Sequence, residues 1–101
     1  MKTLEILRAA RKLIEKPENW TRGALGRDRY DWSVTPTGPY ACRWCLLGAI
    51  RRVGGWAPPV NKYCEIARAN DRMTHPEVLA WLDRAIALVE RGMRKKRAPL
   101  L

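Results

Sequence analysis

The stretch Tyr40 to Gly55, YACRWCLLGAIRRVGG, decides how the whole chain is read. Its C-x-x-C pair admits three chemistries: a metal knuckle, a redox couple, or two thiols on the buried side of a helix. At about 100° per residue, Cys42, Cys45, Leu46, Ala49, Ile50 and Val53 fall on one side, and Gly54 supplies a C-terminal stop. The spacing therefore predicts an amphipathic helix with its cysteines one turn apart on the apolar face. The other face sets Trp44, Leu47 and Gly48 between Arg43, Arg51 and Arg52, so it is neither plainly wet nor plainly buried. Some segment must cover Trp44, and Gly48 would let it approach closely.

Outward from this helix, the N-terminal side begins with Thr3 to Lys16. Thr3 can cap the first turn, Glu5 suits the helix dipole, and Leu4, Ile6, Leu7, Ala10, Leu13 and Ile14 form an apolar stripe. Pro17 ends that helix by pushing its predecessor out of helical space. From Trp20 to Pro39 no period of either kind is sustained, and Gly23, Gly26, Pro36, Gly38 and Pro39 punctuate the run. Trp20, Leu25, Tyr30, Trp32 and Tyr40 make it too aromatic for a loose linker, so the expectation is a long loop packed on the helices. Its length marks it as a place for function.

On the C-terminal side, Pro59 can open a third helix to about Ala69, with Val60, Tyr63, Cys64 and Ala67 inward. Thr74 and Glu77 have capping-box spacing ahead of the stripe Val78, Leu82, Ala85, Ile86, Val89 and Met93, which Leu79, Trp81 and Leu88 widen. So wide a stripe predicts that the last helix is central. The sum is a mainly α, compact four-helix single domain over residues 1–93, with an aromatic-rich loop between helices 1 and 2 and a basic tail over 94–101.

Length and charge bound the partners. A chain of 101 residues fits one domain with one modest core. It has no apolar run long enough for a membrane span and no secretory leader pattern, so the expected location is the cytoplasm. Twenty Lys and Arg against ten Asp and Glu give a net charge of +10, an excess that attracts polyanions.

The soft metal ligands are Cys42, Cys45, Cys64 and His75, a number that fits a tetrahedral zinc set. Zinc knuckles place C-x-x-C on a turn, however, and a redox pair wants a βαβ setting, whereas these cysteines sit inside a helical period. Core thiols are the favoured reading, with zinc as the minor alternative. His75 lies in a capping turn and reads as structural. Asp28 and Asp31 in GRDRYDW could work as acid and base, but Arg27 and Arg29 beside them suggest ion pairs. With no phosphate loop, zincin helix or nucleophile elbow, the expectation is a protein that is not an enzyme and needs no cofactor.

The segments WTRGALGRD, WCLLGAIRR, ARAND and VLAWLDRAI, in that order, resemble a family of small bacterial and bacteriophage proteins of unknown function. The resemblance runs from roughly Pro17 to Ala87, and W-C-x-x-G-A is its most specific piece. It implies a mainly helical fold and a bacterial or phage source, and supplies no activity. Cys45 matches that pattern while Cys42, Cys64 and His75 do not. The shared positions it marks as a possible site are Trp20, Gly23, Arg27, Asp28, Trp44, Gly48, Asn70 and Asp71.

Two classes of function follow. In the first, the protein is a basic accessory factor that binds nucleic acid, or a complex containing it, without reading sequence. Arg51 and Arg52 with Arg91, Arg94, Lys95, Lys96 and Arg97 of the tail would be its phosphate contacts. In the second it is a protein-binding module, for instance a phage-encoded modulator of a host enzyme or defence complex, anchored by Trp32, Trp44 or Trp56.

Overall fold

The computed structural model describes the backbone of residues 3–54 and 60–97, and side chains over 3–54 and 66–93. Four helices form: α1 (Thr3–Leu13), α2 (Leu46–Gly54), α3 (Val60–Arg72) and α4 (His75–Arg97). Between α1 and α2 the chain makes a 3₁₀ turn at Pro17–Asn19 and three short strands, β1 (Gly26–Arg27), β2 (Ser33–Val34) and β3 (Arg43–Trp44). Both neighbours of the central β1 run antiparallel to it, in the order β2-β1-β3. Trp20 bridges Trp44 in parallel, and the Thr21 amide donates to the Trp44 carbonyl at 3.1 Å, which extends the sheet by one strand's width. The domain is thus mainly α, as the periodicity predicts, and the expected structureless loop contains a small sheet.

The core is built where the apolar stripes meet. Leu7, Ala10 and Ile14 of the α1 region, Leu46, Ala49 and Ile50 of α2, and Val78 and Leu82 of α4 bury together, with Ala41 and Trp44. Among the described residues α1 packs on both α2 and α4, while α2 packs on α3. Among these residues α1 and α2 thus each pack on two other helices. Leu88, expected in the α4 stripe, is exposed although α1 runs alongside that part of the helix, with Arg8 paired to Glu90.

Helix boundaries follow local chemistry. α1 stops at Leu13, three residues short of the expected Lys16, and the Nε2–H of His75 donates to the Ile14 carbonyl at 2.7 Å. That bond satisfies one of the acceptors a helix end leaves open. At the start of α4 the Thr74 amide and hydroxyl both donate to Glu77 Oε1 at 3.0 Å, completing the expected capping box. Pro59, Trp56 and the side chains of Val60, Tyr63, Cys64, Arg94, Lys95, Lys96 and Arg97 lie outside the described residues.

The quoted stretch needs the largest correction. α2 begins at Leu46, so Cys42 and Cys45 are not two thiols on one helix face. Cys42 is exposed just before β3, with its amide donating to the Arg27 carbonyl at 2.9 Å. Cys45 is buried and acts as the N-cap: its carbonyl accepts from the Ala49 amide at 2.8 Å and its sulfur from the Gly48 amide at 3.3 Å. A helical wheel cannot see this, because a cap residue sits at the right angle for the apolar stripe while its backbone is still outside the helix.

Candidate functional site

The most constrained polar group is Asn70, near the end of α3 and fully buried. Its Oδ1 accepts from the Trp20 indole Nε1–H at 2.8 Å and from the Leu46 amide at 3.0 Å. Its Nδ2 donates to the Thr21 carbonyl at 3.2 Å and to Asp71 Oδ1 at 3.5 Å. One amide side chain thereby uses both ends to join the 3₁₀ turn, the first turn of α2 and α3. Asp71 Oδ1 also accepts from the Gly23 amide at 3.1 Å, and Gly23 has φ of 76°, a left-handed conformation natural to glycine. Trp20, Gly23, Asn70 and Asp71 are thus brought together, and their bonds to one another give them a structural task.

Gly48 belongs to the same construction. A Cβ there would overlap the carbonyl oxygen of Leu25 and lie 2.7 Å from its carbonyl carbon. The close approach expected at Gly48 is therefore real, and the approaching segment is the strand-bearing loop. Trp44 is buried on β3; its indole Nε1–H donates to the Pro36 carbonyl at 2.9 Å, and the Arg52 guanidinium lies over its ring at 5.5 Å. Arg52 also donates to the Gly38 carbonyl at 2.7 Å. So Trp44 is a core ring, and Arg52 is engaged in holding the loop over it.

Around the turn joining β1 to β2, the two acidic residues have different tasks. Asp28 Oδ1 accepts from the amides of Tyr30 at 2.9 Å and Trp32 at 3.0 Å, and Asp31 adopts φ of 71°. Such side-chain capping of the following amides is how Asp favours turns. Asp31 is the counter-ion: Arg43 reaches its carboxylate at 2.9 Å and Arg27 at 3.8 Å. Arg27 also donates to the Thr21 hydroxyl at 3.0 Å and to the carbonyls of Asp31 at 3.0 Å and Arg22 at 2.9 Å, so it laces the loop together. Two guanidiniums thus share one carboxylate.

The cysteine chemistry can be judged on the same geometry. Burial pushes the Cys45 thiol up, with the Gly48 amide opposing in part, so the sulfur stays protonated and is a poor nucleophile. Among the described residues no group of three or more His, Cys, Asp or Glu side chains is placed to hold a metal. His75 packs its ring against Trp20 at 5.6 Å and is turned to Ile14, apart from the cysteines.

Residue-level reading of the sequence missed the exposure of Tyr30 and Tyr40, while Trp32 was already a candidate anchor. Tyr30, Trp32 and Tyr40 are 66%, 72% and 77% exposed, whereas the expectation packed the aromatic loop on the helices. Trp20 and Trp44 do pack there. The available signal was the pair Asp28 and Asp31 in GRDRYDW, a turn composition that places the residues between them at a hairpin tip. Arg29 joins the tip, its guanidinium 4.8 Å from the centre of the Tyr30 ring. Arg51 lies in the last turn of α2, and Arg91 is exposed on α4, away from this tip in sequence and element.

These features define a helical domain clasped by a small antiparallel sheet with a cationic, aromatic edge. The chain belongs to a family of unknown function, DUF6197, whose profile matches residues 1–69. The match takes in α1, the sheet, α2 and most of α3, and ends before Asn70 and α4, so VLAWLDRAI falls outside it. No curated protein and no solved structure matches the chain.

Proposed function

We propose that the protein is an accessory factor that binds nucleic acid, or a complex containing it, through phosphate contacts and without reading base sequence. The observation that carries this is the convergence of Arg27 and Arg43 on the single carboxylate of Asp31, in a chain of net charge +10. Among the described residues, ion pairs engage four arginines, Arg8, Arg11, Arg27 and Arg43. The other cations include Arg22 and Arg29 on the strand-bearing loop, and Arg51. In the bacterial or phage setting suggested by the sequence resemblance, such a factor works in the cytoplasm. Arg51, Arg91 and the tail Arg94, Lys95, Lys96 and Arg97 extend the phosphate contacts, while Arg52 serves mainly to cover Trp44.

The test is binding to fluorescein-labelled duplex and single strands across salt, against a basic protein of matched size and charge. The expected outcome is tighter binding than that control. Arg43→Gln should flatten the duplex salt slope by about 0.9, the release of one counterion. An affinity equal to the control's would rule the reading out.

A second reading is favoured by one feature, the exposure of Trp32. A Trp presented this way suits the anchor of a protein interface, such as one that occupies a host enzyme's nucleic-acid site. Trp44 is unsuited to that task because its ring and its N–H are both taken.

A further inference from the structure

We infer that the tip of the β1–β2 hairpin, with Tyr40 beside it, is a stacking site for the unpaired bases of single-stranded nucleic acid. The inference rests on the nucleic-acid reading above and specifies which form is bound and by which side chains. Three observations carry it together.

The rings are exposed and have no packing task. Tyr30, Trp32 and Tyr40 are the three most exposed large hydrophobic residues among those described, against a core in which Trp44 is buried and Trp20 is hydrogen-bonded to Asn70. Exposing this much aromatic surface costs solvation free energy with no return in folding, so a ligand face is the economical explanation.

Two of the rings, those of Tyr30 and Trp32, are also held by ordered backbone. The amides of Tyr30 and Trp32 both donate to Asp28 Oδ1, the Asp28 amide donates to the Trp32 carbonyl at 3.0 Å, and the Asp31 amide to the Asp28 carbonyl at 3.0 Å. Asp28 is thus a positioning residue, because it fixes the backbone of Tyr30 and Trp32. Ordering the tip in advance removes an entropy cost that a flexible loop would meet on binding.

Charge and shape complete the site. An open cleft of about 480 Å³ is lined by Asp28, Arg29, Tyr30, Tyr40 and Cys42 among others, placing the two tyrosines on its walls. Arg29 lies on the Tyr30 ring, and Arg43, paired with Asp31, stands behind the tip. Flat rings interleaved with guanidiniums match the two parts of a single strand, bases that stack and phosphates that pair. In a duplex both faces of every internal base are already stacked, so the rings would find no partner. An acidic peptide would satisfy the arginines but offers no planar faces for three rings.

The experiment uses the full chain and four labelled probes: single-stranded DNA and RNA of mixed sequence, the matching DNA duplex, and an acidic polypeptide, poly-glutamate. Fluorescence anisotropy is read for the parent, Trp32→Ala, Trp32→Phe, Tyr40→Ala and Asp28→Ala, each checked by circular dichroism for an unchanged fold. The parent should bind single strands more tightly than duplex. Trp32→Ala should weaken single-strand binding about 5- to 150-fold, the range for loss of one stacked base, with Trp32→Phe restoring most of it. The salt slope should stay the same in Trp32→Ala, because stacking releases no counterions, and that separates stacking from a charge effect. Preference for RNA over DNA, or the reverse, supports the site and identifies its source. If single strand and duplex bind equally and the ring variants bind like the parent, this inference fails while the phosphate-binding reading stands. If neither binds above the basic control, both fail; poly-glutamate binding that drops in Trp32→Ala would likewise overturn the stacking site in favour of a protein partner.

Discussion

Asn70 shows how one residue can set the arrangement of several segments. Its side chain has two donors and an acceptor oxygen, and all are used within the interior. Truncation to alanine would leave the Trp20 N–H, the Leu46 amide and the Thr21 carbonyl without that partner, and each unsatisfied buried group costs about 1–3 kcal/mol. Asn70→Ala should therefore lower stability by at least about 2 kcal/mol on the same scale, read as the midpoint of urea unfolding. A midpoint like the parent's would mean that water replaces the amide and the hub is dispensable. Gly48→Ala is the companion test: the new methyl would collide with the Leu25 carbonyl, and overpacking of this kind costs about 1–3 kcal/mol or more. An unchanged melting temperature would show that the loop can lift away from α2. At this scale the sequence was partly legible. Gly48 stood out because glycine inside an apolar helix requires a close neighbour, but nothing local could tell that the neighbour is Leu25, 23 positions earlier. Asn70 was marked as a site only through the resemblance, and otherwise read as a residue that closes α3, because a buried hydrogen-bond hub depends on partners scattered from Trp20 to Asp71.

The elements divide by how local their causes are. Helices α1 and α4 follow from stripes of period 3.6 and from caps a few residues away, so their existence was readable, and the Thr74–Glu77 box was readable to the residue. The carboxyl of Glu77 is held below the usual carboxylate range, first by the Thr74 amide and then by its hydroxyl. Its folded value is depressed, so this contribution is present above the unfolded carboxylate range and is lost as pH falls through the folded value. Thr74→Ala should cost about 1 kcal/mol as a lost helix cap, and the cost should shrink toward acid pH in parallel melts at neutral and low pH. A penalty that stays constant across pH would assign it to something other than the Glu77 bond. The sheet, by contrast, was illegible. Strands of two residues cannot display an alternation, and their pairing joins Gly26 to Val34 and to Trp44 across turns. The same brevity hid the start of α2: β3 runs to Trp44 and Cys45 caps the helix, so residues of three local structures fell into one apparent helical period.

For the molecule as a whole, arginines and exposed rings meet at the hairpin edge, while the helices supply most of the buried core. Composition disclosed the charge, and the topology of the strand-bearing loop decides where part of it goes, by setting Arg27 opposite Arg43 in the sheet register with Asp31 between them. The helical body should tolerate changes at the tail, since Lys95, Lys96 and Arg97 continue no apolar stripe. Replacing these three by Gln should leave the melting temperature within error and flatten the duplex salt slope by up to about 2.7, at 0.9 for each contact. Binding that is unchanged at every salt concentration would place the phosphate contacts on the loop and α2 alone. The most direct test of nucleic-acid binding itself is the affinity of the unmodified protein for a labelled single strand, titrated from low to physiological salt beside a basic protein of equal size and charge. Nucleic-acid binding by this domain requires an affinity above the control's throughout, with log affinity falling linearly with log salt; coincident curves for the two proteins would contradict it.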